Sequence, residues 1–161
     1  MFKPRAYVET TIPNFYYDFR PSPAVTLRRE ATRRWWATAD ADYELVTSTF
    51  VHEELAAGAG AAVQLRLALL DTIQVLLPEP AVDDVVNAYV QHKLMPAKPP
   101  HDAMHLALAS YRACDLIVTW NCRHLANPNK ARHLRNIHAR LGLAVPRLVT
   151  PLDLLMGEPH A

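Results

Sequence analysis

An α/β domain with a largely parallel sheet is the fold class that this sequence predicts, on three observations. Short apolar segments recur along the chain, at about 5–9, 44–48, 72–76, 116–119 and, more weakly, 147–150. The stretches between them are long enough for helices, and several carry apolar residues at helical spacing. Strands that alternate with helices re-enter a sheet in the same direction, so neighbours run parallel. At 161 residues the chain is the size of one domain, and the expectation is a single unit over 1–161 with its core at about 4–156.

The elements follow in order. The first strand, Arg5-Ala6-Tyr7-Val8-Glu9, runs into Thr10-Thr11-Ile12-Pro13, read as a turn. The first helix is expected from Ser22-Pro23, a capping serine before a proline at the first helical position, toward Asp40, and Trp35 and Trp36 near its end need cover. After the strand at 44–48 comes a short helix at about 49–57, stopped by Gly58-Ala59-Gly60, and another at about 61–71 with Val63, Leu65, Leu67, Leu69 and Leu70. Pro80 opens a helix with Val82, Val85, Val86, Tyr89 and Val90 on one face. It ends before Met95-Pro96-Ala97-Lys98-Pro99-Pro100, where prolines break any helix, so a new element begins at His101-Asp102. Ala103, Leu106, Ala107 and Ala109 are small enough to let that helix sit close to the sheet. A basic helix at about 129–142 ends at Gly142.

Composition narrows the function classes. Half the residues are apolar and a fifth are charged, enough to build a core. No window approaches a membrane span and the first residues do not resemble a signal peptide, so a cytoplasmic protein with no membrane partner is expected. Cys114 and Cys122 flank a strand without metal-like spacing and read as reduced thiols. The net charge of +1 is uninformative, but its distribution is not. No acid lies between Asp115 and Asp153, where Arg123, Lys130, Arg132, Arg135, Arg140 and Arg147 fall, and Arg28, Arg29, Arg33 and Arg34 form a second basic run. Such runs follow a phosphate backbone or are simply solvated helix faces. With four glycines there is no phosphate-binding glycine loop, and neither Ser48 nor a cysteine is set up as a nucleophile.

Ligands of parallel α/β sheets gather beyond the carboxyl ends of the strands. Glu9 ends the first strand, Glu54 sits one to two turns into the helix after the second, Asp102 heads a helix, and Asn121 lies two residues past the strand ending at Thr119. Grouped carboxylates repel one another unless a cation neutralises them, and hard oxygen ligands suit Mg²⁺ or Mn²⁺. The fitting reaction is hydrolysis of a phosphodiester. Each residue also has a plainer reading: a turn acid for Glu9, an exposed helix glutamate for Glu54, N-caps for Asp102 and for Asn121, the latter opening a short helix at 122–126. Their coincidence at element ends favours the site. Glu53 competes with Glu54. His101 and His105 lie four apart, but the metalloprotease glutamate is missing between them, and His105 reads as a packed or supporting group beside Asp102. Ser48, Thr10, Thr11 and Thr119 are hydroxyls that orient ligands or water in this reading.

At these residues the chain resembles the PIN-domain ribonucleases, specifically the VapC-type toxins of toxin–antitoxin systems. Tyr7-Val8-Glu9-Thr10-Thr11-Ile12-Pro13 looks like the opening strand with the family's first acid and its hydroxyl residue. Ser48, Glu54 and Leu55 look like the second acid's segment, His101-Asp102-Ala103-Met104-His105-Leu106-Ala107 like the third, and Val118-Thr119-Trp120-Asn121 like the fourth. Arg20-Pro21-Ser22-Pro23, Trp35-Trp36 and the run from Asn121 to Asn127 look like one subgroup. Two positions depart: Glu9 stands where an aspartate is usual, and Asn121 replaces a common aspartate, leaving one fewer charge. The resemblance implies a PIN-like three-layer α/β/α sandwich that cuts RNA using Glu9, Glu54 and Asp102 as metal ligands, with Asn121 as an auxiliary ligand. One occupied Mg²⁺ or Mn²⁺ position is expected. It also implies a cognate antitoxin and a homodimer. The alternatives are a catalytically weakened RNA-binding or interaction module of the same fold and, behind it, a DNA-directed structure-specific nuclease.

Overall fold

Every strand of the sheet runs in the same direction because each is followed by at least one helix that carries the chain back. The computed structural model describes residues 2–95, 101–121 and 128–157. The strands are β1 (Arg5–Val8), β2 (Glu44–Ser48), β3 (Gln74–Leu76), β4 (Leu116–Val118) and β5 (Arg147–Val149). They lie in the order β3-β2-β1-β4-β5, all parallel. The helices are α1 (Thr11–Tyr16), α2 (Pro23–Asp42), α3 (Thr49–Ala56), α4 (Ala62–Leu69), α5 (Pro80–Gln91), α6 (His101–Tyr111), α7 (Pro128–Leu141) and α8 (Pro151–Met156). They flank the sheet: α2 packs with α1 and α8, while α5 packs with α6 and α7.

The expected strands all form, with β3 shortened to three residues and β1 ending one residue before Glu9. Two helices were not expected. α1 begins at Thr11, where a turn was read: Pro13 falls in the first turn, whose N–H groups have no intrahelical acceptor, so proline costs the helix nothing there. α8 follows a complete capping box, in which the Thr150 hydroxyl accepts from the Asp153 N–H and the Asp153 carboxylate accepts from the Thr150 N–H, with Pro151 in the first turn. Gly142 takes φ +71° after α7, the conformation that favours glycine at a helix end. The expected short helix at 122–126, the 96–100 segment, Cys122 and most of the run from Asn121 to Asn127 lie outside the described residues.

β1 is buried on both faces, with Ala6, Tyr7 and Val8 fully covered, as a central parallel strand requires. Ala103, Ala107 and Ala109 on α6 are also fully buried, and their small side chains suit close packing. Trp35 is buried, and Trp36 packs against the same core. Chain order reverses between β1 and β4: strands 1, 2 and 3 run out one way and 4 and 5 the other. The crevice at that switch point, beyond the carboxyl ends of β1 and β4, is where the topology places a ligand.

Candidate active site

Val8 pairs with Val118 at the ends of β1 and β4, so the residues that follow leave the sheet side by side. Glu9 is the first residue past β1 and is only 6% exposed. Its Oε2 accepts three hydrogen bonds, from the Thr11 N–H (2.9 Å), the Thr11 hydroxyl (2.6 Å) and the Thr119 hydroxyl (2.8 Å). Both hydroxyls in turn accept from the backbone past β4: Thr11 Oγ1 from the Trp120 N–H and Thr119 Oγ1 from the Asn121 N–H, each at 2.9 Å. One oxygen of Glu9 is therefore fixed, and Oε1 takes no hydrogen bond among the described residues.

Asn121 extends the network. Its Nδ2 donates to Asp102 Oδ2 at 3.1 Å, bringing the first turn of α6 to the end of β4. Glu9, Thr119, Asn121 and Asp102 thus form one continuous string. One turn further along α6, His105 is 2% exposed. Its Nε2 hydrogen-bonds Glu54 on α3, and its Nδ1 lies 2.6 Å from the Tyr7 hydroxyl, which is also 2.6 Å from Ser48 Oγ. His105 was expected beside Asp102; it binds Glu54 and Tyr7 instead, because residues three apart on a helix share a face but reach different neighbours.

Burial, above all, pushes the Tyr7 phenol well above its ordinary pKa, with the negative charges of Glu9 and Glu54 adding to the effect. The phenol stays protonated, and one arrangement satisfies every polar atom. Ser48 donates to the Tyr7 oxygen, Tyr7 donates to Nδ1 of a neutral His105, and Nε2–H donates to Glu54. Ser48 meanwhile caps α3 by accepting from the Val51 N–H at 3.2 Å. The opposite direction would leave the buried Ser48 proton without an acceptor.

Of the expected site residues, Glu9, Asp102 and Asn121 are joined by hydrogen bonds. Glu54 is linked to Asp102's helix through His105. Glu53, the competitor, is exposed and takes no part in this network. Thr11 and Thr119 hold Glu9 as the hydroxyl reading expected, whereas the Thr10 hydroxyl is buried without a partner. Tyr7 was missed, since a strand tyrosine carries no signal of its polar neighbours. The side chain of His101 lies outside what is described, and Cys114 is an inert buried thiol, pushed up to about 12 by burial.

Among the described residues no three His, Cys, Asp or Glu side chains are drawn into a ready-made cage for an ion. The side chains that hydrogen bonds do link at the switch point, Glu9, Asn121 and Asp102, offer hard oxygens, and Glu9 has one oxygen anchored and one that takes no hydrogen bond among the described residues. That set suits a small divalent ion that keeps water in its shell.

Compared with models of known protein families, residues 24–127 match the PIN domain. The chain belongs to the PIN-domain family. The matched stretch includes Glu54, Asp102 and Asn121, while Glu9 precedes it. PIN-domain proteins are generally nucleases that bind RNA and use divalent metal ions. A comparison with curated proteins gave no match. No described helix of this PIN-domain chain is long and apolar enough to cross a membrane.

Proposed function

We propose that this PIN-domain protein is a metal-dependent endoribonuclease in which Glu9, Glu54 and Asp102 hold Mg²⁺ or Mn²⁺ and Asn121 serves as an auxiliary ligand or positions water. The observation that carries the reading is the hydrogen-bonded string from Glu9 through Thr119 and Asn121 to Asp102 at the switch point. When bound, the ion would supply a Lewis acid for the phosphodiester and a water of lowered pKa. The chain's own residues do the rest. Thr11 and Thr119 fix the Glu9 carboxylate, the Asn121 amide orients Asp102, and the neutral His105 imidazole holds Glu54 without adding a positive charge that would compete with the cation. The role of a toxin, restrained by a cognate antitoxin and assembled as a homodimer, rests on the resemblance at 7–13 and 101–107.

The test is cleavage of mixed single-stranded RNAs by the purified chain in Mn²⁺. Asp102→Ala is expected to lower the rate by at least about 100-fold, and EDTA to abolish it. Salt-dependent RNA binding with no metal-dependent products would instead mark a binding module. Cleavage that survives Asp102→Ala would overturn the assignment.

A further inference from the structure

Arg66, in the last turn of α4, carries a donor that no acceptor meets. Its Nε is buried with no hydrogen-bond partner, and it forms no ion pair among the described residues. Neighbouring arginines are committed. Arg20 grips Asp18 with two nitrogens, Arg29 donates to the Asp18 carbonyl, and Arg33 donates to the Tyr16 carbonyl. Arg66 lines a cleft of about 480 Å³ with Asn14, Tyr17, Asp18, Arg20 and Glu54 among its walls. Glu54 is the acid that His105 holds, so the cleft shares that residue with the candidate site. Within it Arg20 hydrogen-bonds Asp18 and chiefly lowers its pKa, while the Arg66 charge acts on the same carboxylate without a hydrogen bond. Arg66 is left with a buried donor that no acceptor meets.

A guanidinium whose buried Nε–H lacks an acceptor is suited to receive an anion, and its planar fork matches two oxygens of a phosphate. We infer that this cleft takes the sugar–phosphate chain of RNA on one side of the bond to be cut, with Arg66 holding a phosphate. The inference rests on the nuclease reading for the identity of the ligand. Asn14 and Tyr17 supply neutral polar groups along the same wall.

The experiment is anisotropy of a labelled single-stranded RNA of about 12 nucleotides on the full chain in EDTA, where binding is separated from cutting. Arg66→Ala is expected to weaken binding about tenfold and to reduce the magnitude of the log K against log salt slope by about 0.7, with Arg66→Lys between the two. Lys3→Ala removes the same charge ahead of β1, at the opposite end of that strand from Glu9, and is expected to change affinity less than about twofold. Unchanged binding by both Arg66 variants, an equal loss in Lys3→Ala, or no RNA binding by the wild type would overturn the inference. Should Arg66→Ala fail to fold by circular dichroism, Arg66→Lys carries the comparison. Cleavage by Glu54→Gln in Mn²⁺ separates the two readings. Loss of cutting with normal binding by the Arg66 variants leaves the nuclease and removes the cleft. Persistent cutting with weakened Arg66 binding removes Glu54 from the metal ligands and leaves the cleft.

Discussion

His105 contacts none of the expected ligands except Glu54, yet it connects two parts of the site. One ring nitrogen faces Glu54 and the other faces Tyr7, which is tied to Ser48 at the start of α3. Glu54 is thus held from the core side by a buried neutral imidazole whose tautomer is set by a tyrosine that burial keeps protonated. His105→Ala is expected to lower the cleavage rate by about 10- to 100-fold, the usual range for removing a group that orients a ligand. It also leaves the Tyr7 proton without this acceptor in a closed environment, costing about 1–3 kcal/mol of stability. Steady-state kinetics beside chemical denaturation checks both effects. A large stability loss with an unchanged rate would show that His105 serves packing alone. The placement of Glu9, Glu54, Asp102 and Asn121 at or near element ends was legible in the sequence. Tyr7 and the precise partner of His105 were not, because side-chain reach across a sheet depends on which strands become neighbours.

At the scale of elements, the site is assembled from ends. Glu9 leaves β1, Asn121 leaves β4, Asp102 stands in the first turn of α6, and Glu54 lies on α3 immediately after β2. Short β3 and long α2 contribute none of these four residues. The alternation of apolar strands and helices was readable because fully buried parallel strands are continuous apolar runs, as Leu116-Ile117-Val118 shows. α1 was hidden because a six-residue helix with a proline in its first turn has the same local signals as a turn. α8 had a readable signal, the Thr150-Pro151-Leu152-Asp153 sequence, but it followed the weakest strand. That box supports a prediction remote from the chemistry. Thr150→Ala is expected to destabilise the fold by about 0.5–2 kcal/mol through loss of the cap, with the RNA cleavage rate unchanged. Thermal unfolding and a cleavage assay on one preparation check it.

For the whole molecule, α5 and α7 are joined by a second buried histidine. His138 is 1% exposed, its ring stacks on Tyr89 at 5.6 Å, its Nε2 lies 2.6 Å from the Tyr89 hydroxyl, and its Nδ1 lies 3.2 Å from the Ala144 carbonyl oxygen. Burial lowers the His138 pKa in the folded chain. A base whose folded pKa is depressed binds fewer protons folded than unfolded. Its contribution is fully present above the ordinary imidazole value of about 6.5 and is lost as pH falls through the folded value. Stability is therefore expected to drop on acidification below about pH 6.5, with a smaller drop in His138→Gln. Denaturant melts across pH 5–8 check the sign. Identical slopes in both proteins would remove His138 as a source of the dependence.

In the proposed nuclease the second oxygen of Glu9, together with Glu54 and Asp102, receives a single divalent ion where chain order reverses between β1 and β4. Anomalous diffraction from crystals of the full chain soaked in Mn²⁺ tests this most directly. The expected result is one strong peak in direct ligation of Glu9 and Asp102, with Glu54 and Asn121 at the same ion or at its water. A peak coordinated by other residues, or none at saturating Mn²⁺, would contradict it.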